Sequence, residues 1–201
     1  GASTSEDLLL DFNISGSECF GNLTIDCGAF DVISKESLNI LGDLSLSSGE
    51  LIAFSGDGSD ENIDIQGDII SAGTNLISGF NDVTFEGLSS QSISGNNTFI
   101  SLTINNAYGL TLAGSTTLQG VLTLTSGNII SESDVNGNDS QTYASTNTIT
   151  LKDGATVSGG SASSHVVGAV RAESSSTTEI EFPTGDGTNY RPAYLTPSTS
   201  T

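Results

Sequence analysis

Residues 120–130 read GVLTLTSGNII, and residues 42–52 read GDLSLSSGELI. In each, apolar side chains alternate with Ser or Thr, a glycine follows, and a second apolar pair starts two positions later. Alternation of period two marks a half-buried strand, and the glycine supplies a corner between two such strands. The phrase returns at an offset of 78 (42 to 120). Upstream, ISGSECFGNLTI (14–25) lies on ISGNNTFISLTI (93–104) at an offset of 79. A long internal period with a matching apolar pattern belongs to repeat architectures.

A shorter beat is nested inside. Apolar–x–apolar triplets begin at Leu23, Leu44, Ile63, Val83, Leu102, Leu122 and Ile149, with spacings of 21, 19, 20, 19, 20 and 27. A second apolar column runs through Val32-Ile33, Leu51-Ile52, Ile69-Ile70, Leu110-Leu112, Ile129-Ile130 and Val157. A third, fainter one runs through Phe20, Ile40, Ile77 or Phe80, Phe99 and Leu118. Three short strands per coil of about 20 residues, stacked at ~4.8 Å, predict an all-β right-handed parallel β-helix, or β-solenoid. Left-handed solenoids show strict six-residue steps, which are absent here. An antiparallel sandwich is the competing fold, but it does not explain a steady beat of stacked like residues. The 79-residue unit reads as four coils. Residues 1–165 read as a solenoid of two such units, and 166–201 as a C-terminal cap or the start of a following domain. Pro183, Pro192 and Pro197, all the prolines of the chain, fall in that tail, and proline is excluded from central strands.

Composition narrows the function. Four Lys and Arg stand against 24 Asp and Glu, for a net charge of -20. Such a chain repels nucleic acid and anionic lipid. Its expected partners are other copies or domains of the same protein, glycans, and host or environmental surfaces, with no nucleic acid and no membrane insertion. No apolar run approaches the ~18 residues of a membrane helix. The chain opens without Met or a signal peptide, which reads as a mature form or an excised fragment.

Two acidic stretches interrupt the rhythm: SGDGSDEN (55–62) and SESDVNGNDSQTYASTN (131–147). Both are read as loops leaving the same corner of the coil. Asp134, Asn136, Asn138 and Asp139 offer alternate oxygen ligands resembling the first half of an EF-hand loop. Asp57 and Asp60 give a looser version, and Ca²⁺ is the cofactor such oxygens would hold. The closing bidentate Glu is missing, and a solvated acidic turn is the alternative. Cys19 and Cys27 flank a strand. A disulfide between them requires a sharp reversal at Gly21-Asn22, because a straight strand would hold them ~26 Å apart. Two reduced thiols are the alternative.

Nothing in the sequence points to catalysis. The bases Lys35, Lys152, Arg171, Arg191 and His165 are scattered, and no Ser-His-Asp set, HExxH or phosphate loop appears. His165 reads as structural or solvated. The middle residues of the triplets, Thr24, Ser45, Asp64, Thr84, Thr103, Thr123 and Thr150, form a candidate outward row. Flat threonine rows serve ice-binding solenoids, although Thr is also simply a good strand residue.

The stretches VTFEGLSSQSISGNNTFISLTINNAYGLTLAGSTTLQGVLTLTSGNIIS (83–131), SGGSASSHVVGAVRAE (158–173) and FPTGDGTNYRPAYLT (182–196) resemble the repeat regions of large secreted surface proteins of Bacteroidota. The resemblance implies export to the cell surface, often by type IX secretion, and a place in a long adhesin-like or filamentous protein. The cysteines and the acidic residues at 57–62 depart from the family phrase, so the resemblance implies no role for them. The sequence therefore leads to the expectation of a non-catalytic, extracellular, structural or adhesin-like module of a bacterial surface protein. The alternatives are a glycan- or ice-binding module and a self-assembling filament subunit.

Overall fold

The structure, a computed structural model, describes residues 8–10, 19–29, 31–53, 61–72, 77–131 and 147–198. Strands β1 (Leu8–Leu10), β2 (Cys19–Phe20) and β3 (Leu23–Asp26) open a stack. β4 (Val32–Ser34), β5 (Leu38–Ile40) and β6 (Leu44–Ser48) form the next coil. β7 (Leu51–Ala53), β8 (Asn62–Ile65) and β9 (Ile69–Ser71) form the third, and β10 (Ile77–Ser78), β11 (Asp82–Phe85) and β12 (Gln91–Ser94) the fourth. Then come β13 (Asn97–Phe99), β14 (Ser101–Asn105) and β15 (Leu110–Ala113), followed by β16 (Thr116–Leu118), β17 (Val121–Ser126) and β18 (Ile129–Ile130). β19 (Ile149–Leu151), β20 (Thr156–Gly159) and β21 (Val166–Val167) complete the seventh coil, and β22 (Val170–Ala172) starts another.

With one exception, each strand pairs in parallel with the strand three places further on, which makes a three-sided β-helix. The second face is β2-β5-β8-β11-β14-β17-β20, and the third runs from β3 to β21 in the same way. The first face is two ladders, β1-β4-β7-β10 and β13-β16-β19-β22. β10 and β13 are neighbours there, but no ladder joins them.

Alternation along each strand sends every second side chain inward, and parallel pairing stacks like on like. On the second face Phe20, Ile40, Ile65, Phe85, Ile104 and Leu124 lie in one column, beside a column of Leu38, Ile63, Val83, Leu102, Leu122 and Val157. On the third face Leu44, Ile69, Ile93 and Leu112 are stacked. These columns form one continuous hydrophobic core, and each fully buried aliphatic side chain contributes about 1.5–3 kcal/mol.

At the corners the strands turn, and side-chain oxygens extend the hydrogen bonding from one coil to the next. Asn22 Oδ1 accepts the backbone N–H of Asp43 at 2.9 Å, Asp43 Oδ1 that of Asp68 at 2.9 Å, and Asp68 Oδ1 that of Ser92 at 2.7 Å. Asp31 serves Glu50, Asn62 serves Asp82, Asn96 serves Ser115 and Asn128 serves His165 in the same way. In each of these bonds the acceptor belongs to the earlier coil and the N–H to the later one. Part of the acidity read from composition therefore has a structural use: Asp31, Asp43 and Asp68 satisfy corner amides that would otherwise lack partners.

The pairing corrects four expectations. First, the leading apolar column changes face. Leu23 pairs with Leu44, but the next partner of Leu44 is Ile69, while Ile63 stacks on Leu38. Ile149 lies on the first face opposite Thr116. The triplet Leu38-Asn39-Ile40 carries the same signal as Ile63-Asp64-Ile65 and is its partner in the stack. The coil between Leu44 and Ile69 is longer because residues 54–60 are inserted, so the nearest matching triplet is not the next one in the stack. The second and third apolar columns cross faces in the same way. Val32 and Leu51 lie on the first face, Ile69 and Leu110 on the third. Phe20 and Ile40 lie on the second, and Phe99 and Leu118 on the first.

Second, the repeat is not four coils. The first phrase occupies β6 and β7 and the second β17 and β18, a distance of eleven strands, one fewer than four turns of three. The two phrases share their local form, strand, glycine of positive φ (Gly49, Gly127), strand, but they sit on different sides of the helix. Third, the strands on either side of the two acidic stretches do not share a corner: β7 and β8 lie on the first and second faces, β18 and β19 on the third and first.

Fourth, the threonine row divides. Thr84, Thr103 and Thr123 stack on the second face, after Asn39 and Asp64 and before Ser158. Thr24 and Ser45 lie on the third face, and Thr150 lies on the first between Thr117 and Arg171.

Parallel pairing continues past residue 165 through β21 and β22, so the start of the 166–201 tail belongs to the solenoid. Beyond it, β23 (Ile180–Phe182) and β24 (Ala193–Leu195) form an antiparallel hairpin packed against β20 and β22. All three prolines stand outside the parallel ladders. Pro183 is buried, and its carbonyl accepts the N–H of Val166 at 2.8 Å.

Candidate functional site

The corner between the second and third faces has unequal connections. From β11 onward they are five residues (86–90) between β11 and β12, four (106–109) between β14 and β15, two (127–128) between β17 and β18, and six (160–165) between β20 and β21. The short connection leaves a notch between two taller ones. That notch is a groove of about 510 Å³ with Gly127 and Ile130 between its sides, Tyr108 on one and Ser163 and Thr188 on the other.

Buried polar groups hold both walls. On one side Asn106 is buried. Its Nδ2 donates to the Ser89 carbonyl at 2.7 Å and to Gln91 Oε1 at 2.9 Å, and its Oδ1 accepts the Tyr108 N–H at 2.8 Å. Gln91, also buried, accepts the Gly87 N–H at 2.8 Å and donates to the Ile65 carbonyl at 3.1 Å. Two neighbouring corner loops are thus tied together beneath an exposed tyrosine. Tyr108 is 67% exposed, with Leu88 of the adjacent loop 84% exposed.

On the other side His165 is fully buried. Its Nδ1 is 3.0 Å from the Ser161 carbonyl, and its Nε2 accepts the Gly187 N–H at 3.0 Å. One ring nitrogen donates and the other accepts, which sets the neutral tautomer with the proton on Nδ1. Asn128 Nδ2 donates to the Gly187 carbonyl at 3.3 Å, and the Gly127 N–H donates to the Ser163 carbonyl at 2.9 Å. His165 therefore fastens the 183–190 segment to the last coil, which accounts for this lone histidine in structural terms.

The turn bearing Gly187 and Thr188 depends on Asp186. Its carboxylate accepts the N–H groups of Asn189 (2.8 Å) and Thr188 (3.0 Å) and the Asn189 side-chain amide (3.2 Å), and it pairs with Arg191 at 3.0 Å. These bonds, the Asn189 N–H first, lower its pKa to about 2. A depressed carboxyl contributes stability above its unfolded pKa and loses that contribution as pH falls through the folded one. The turn should hold at pH 4 and loosen towards pH 2. A carboxyl titration by NMR should give Asp186 a midpoint of about 2, with amide exchange at Thr188 and Asn189 rising over that interval. A midpoint near the ordinary value of about 4 would refute this account.

Other polar groups cluster near the same end. Lys152 and Arg171 both pair with Glu173, at 2.6 and 3.2 Å, so three of the scattered cations are committed to ion pairs. Tyr190, partly buried and hydrogen-bonded to Glu181, has its phenol raised above the usual range by burial and then by that carboxylate. Cys19 and Cys27 are not joined by a disulfide. Cys19 is exposed on β2, and Cys27 packs against the core after β3. Asp57, Asp60, Asp134, Asn136, Asn138 and Asp139 lie outside the described residues. Among the described residues, no group of three or more His, Cys, Asp or Glu could hold a metal.

The sequence reading did not single out Tyr108, Asn106, Gln91 or Asn128. The available signal was NNAYG at 105–109, an aromatic within an Asn- and Gly-containing corner. Its significance depends on the shortness of the next corner. No family model matches the chain, and no curated protein and no solved structure shows similarity to it.

Proposed function

We propose that this chain is a non-catalytic, extracellular, structural and adhesin-like module of a bacterial surface protein. It would act as a rigid scaffold that displays its corner loops. The observation that carries this reading is the stack itself: 22 parallel strands in three faces among the described residues, with corner side chains linking one coil to the next. Such a stack keeps backbone amides paired and leaves few openings for proteases. High negative charge favours solubility outside the cell. The resemblance of 83–131, 158–173 and 182–196 to repeats of Bacteroidota surface proteins implies such a location. An antibody against the chain should label intact, unpermeabilised cells of the source organism. Labelling only after permeabilisation would overturn the reading.

A further inference from the structure

We propose that the notch at the corner between the second and third faces is a binding site for a neutral glycan, with Tyr108 as its stacking platform. Its volume of about 510 Å³ suits a small ligand. Among the described residues that line it none is charged, in a chain with 24 acidic and four basic side chains. The net charge of -20 repels anionic ligands. A cationic ligand would be drawn to carboxylates, and none is among the described lining residues. A neutral ligand is what remains, and the lining indicates its chemistry. Tyr108 offers an apolar ring with a polar tip, while Ser90, Thr111, Ser163 and Thr188 supply hydroxyl-bearing side chains beside a few apolar ones. A sugar ring has a matching character, one apolar C–H face and a rim of hydroxyls.

The site is also preorganised. Asn106 holds the Tyr108 backbone, His165 and Asn128 hold the facing wall, and these groups are already hydrogen-bonded before any ligand arrives. Fixed walls reduce the ordering cost of association. Buried and hydrogen-bonded, Asn106, Gln91 and His165 rigidify the loops around the groove and so fix its shape.

This inference adds a ligand to the display reading above. It is tested on the purified chain in solution, so its failure leaves the cell-labelling result unaffected. Titration calorimetry with a panel of neutral hexose oligosaccharides, three to six units long, is expected to show binding by at least one member. Uronic or sulfated oligosaccharides of equal length are expected not to bind. Tyr108→Ala should weaken binding at least about tenfold with an unchanged melting temperature, because the side chain lies outside the core. Tyr108→Phe should retain most of the affinity. Thr111→Glu, whose longer side chain takes up groove volume, should weaken binding without touching the platform. No binding of the neutral panel at about 1 mM, equal binding of the anionic oligosaccharides, or full affinity in Tyr108→Ala would each overturn the proposal.

Discussion

Phe85→Ala should lower the unfolding free energy by about 3–5 kcal/mol. Phe85 is fully buried and stacks between Ile65 and Ile104 on the second face. Removing the ring takes away its transfer energy and leaves a cavity. Relaxation into that cavity is restricted, because β8 and β14 are held to β11 by parallel ladders on both sides. Phe85→Leu keeps most of the volume and should cost less than about 1.5 kcal/mol. Urea unfolding of the three proteins measures the difference. In a stacked architecture, where contacts run between neighbouring coils, faster amide exchange should concentrate in β8, β11 and β14. A loss below about 1 kcal/mol for Phe85→Ala would mean that the column is not a packed core.

Gly127→Ala should cost about 2–4 kcal/mol, and two other glycines separate its causes. Gly127 has φ of 86°, and a Cβ there would collide with the Asn106 carbonyl oxygen. The clash involves backbone, so it cannot be relieved by rotating a side chain, and it falls on the residue that anchors Tyr108. Gly154 has a similar φ of 85° but open space around it. Gly154→Ala should therefore show only the conformational cost, about 1 kcal/mol. Gly114 lacks a positive φ, but a Cβ would strike the Gly95 carbonyl of the coil before it, so Gly114→Ala isolates the steric part. Urea unfolding of the three single variants should rank Gly127 above both of the others. Equal losses at Gly127 and Gly154 would show that coil-to-coil approach contributes nothing at this corner.

These substitutions also separate what was legible from what was not. That LTL at 122–124 and LSL at 44–46 are strands, with alternate residues inward, could be read directly, as could the glycine corners after them. The parallel stack followed from the steady beat. The faces could not be assigned in the same way, because Leu44 and Ile63 are 19 positions apart, a perfect coil spacing, yet they belong to different columns. The true partner of Leu44 is Ile69. Aliphatic strands separated by one coil or by two-thirds of a coil plus an insertion have the same local pattern. The groove was hidden for a related reason. Tyr108, Ser163 and Thr188 are far apart in the chain and meet only because the corner at 127–128 is short.

The sequence by itself determined the strands, their inward faces, their corners and their coiling into a parallel stack. Alternation, β-branching and glycine act over a few residues, and a short phrase contains all of that information. The tertiary structure alone decided which side of the helix each phrase occupies, that the repeat is eleven strands rather than twelve, and where a groove opens. Those outcomes depend on which earlier coil's N–H and C=O groups a strand meets. That is set by the summed lengths of every corner between them, which no single phrase records.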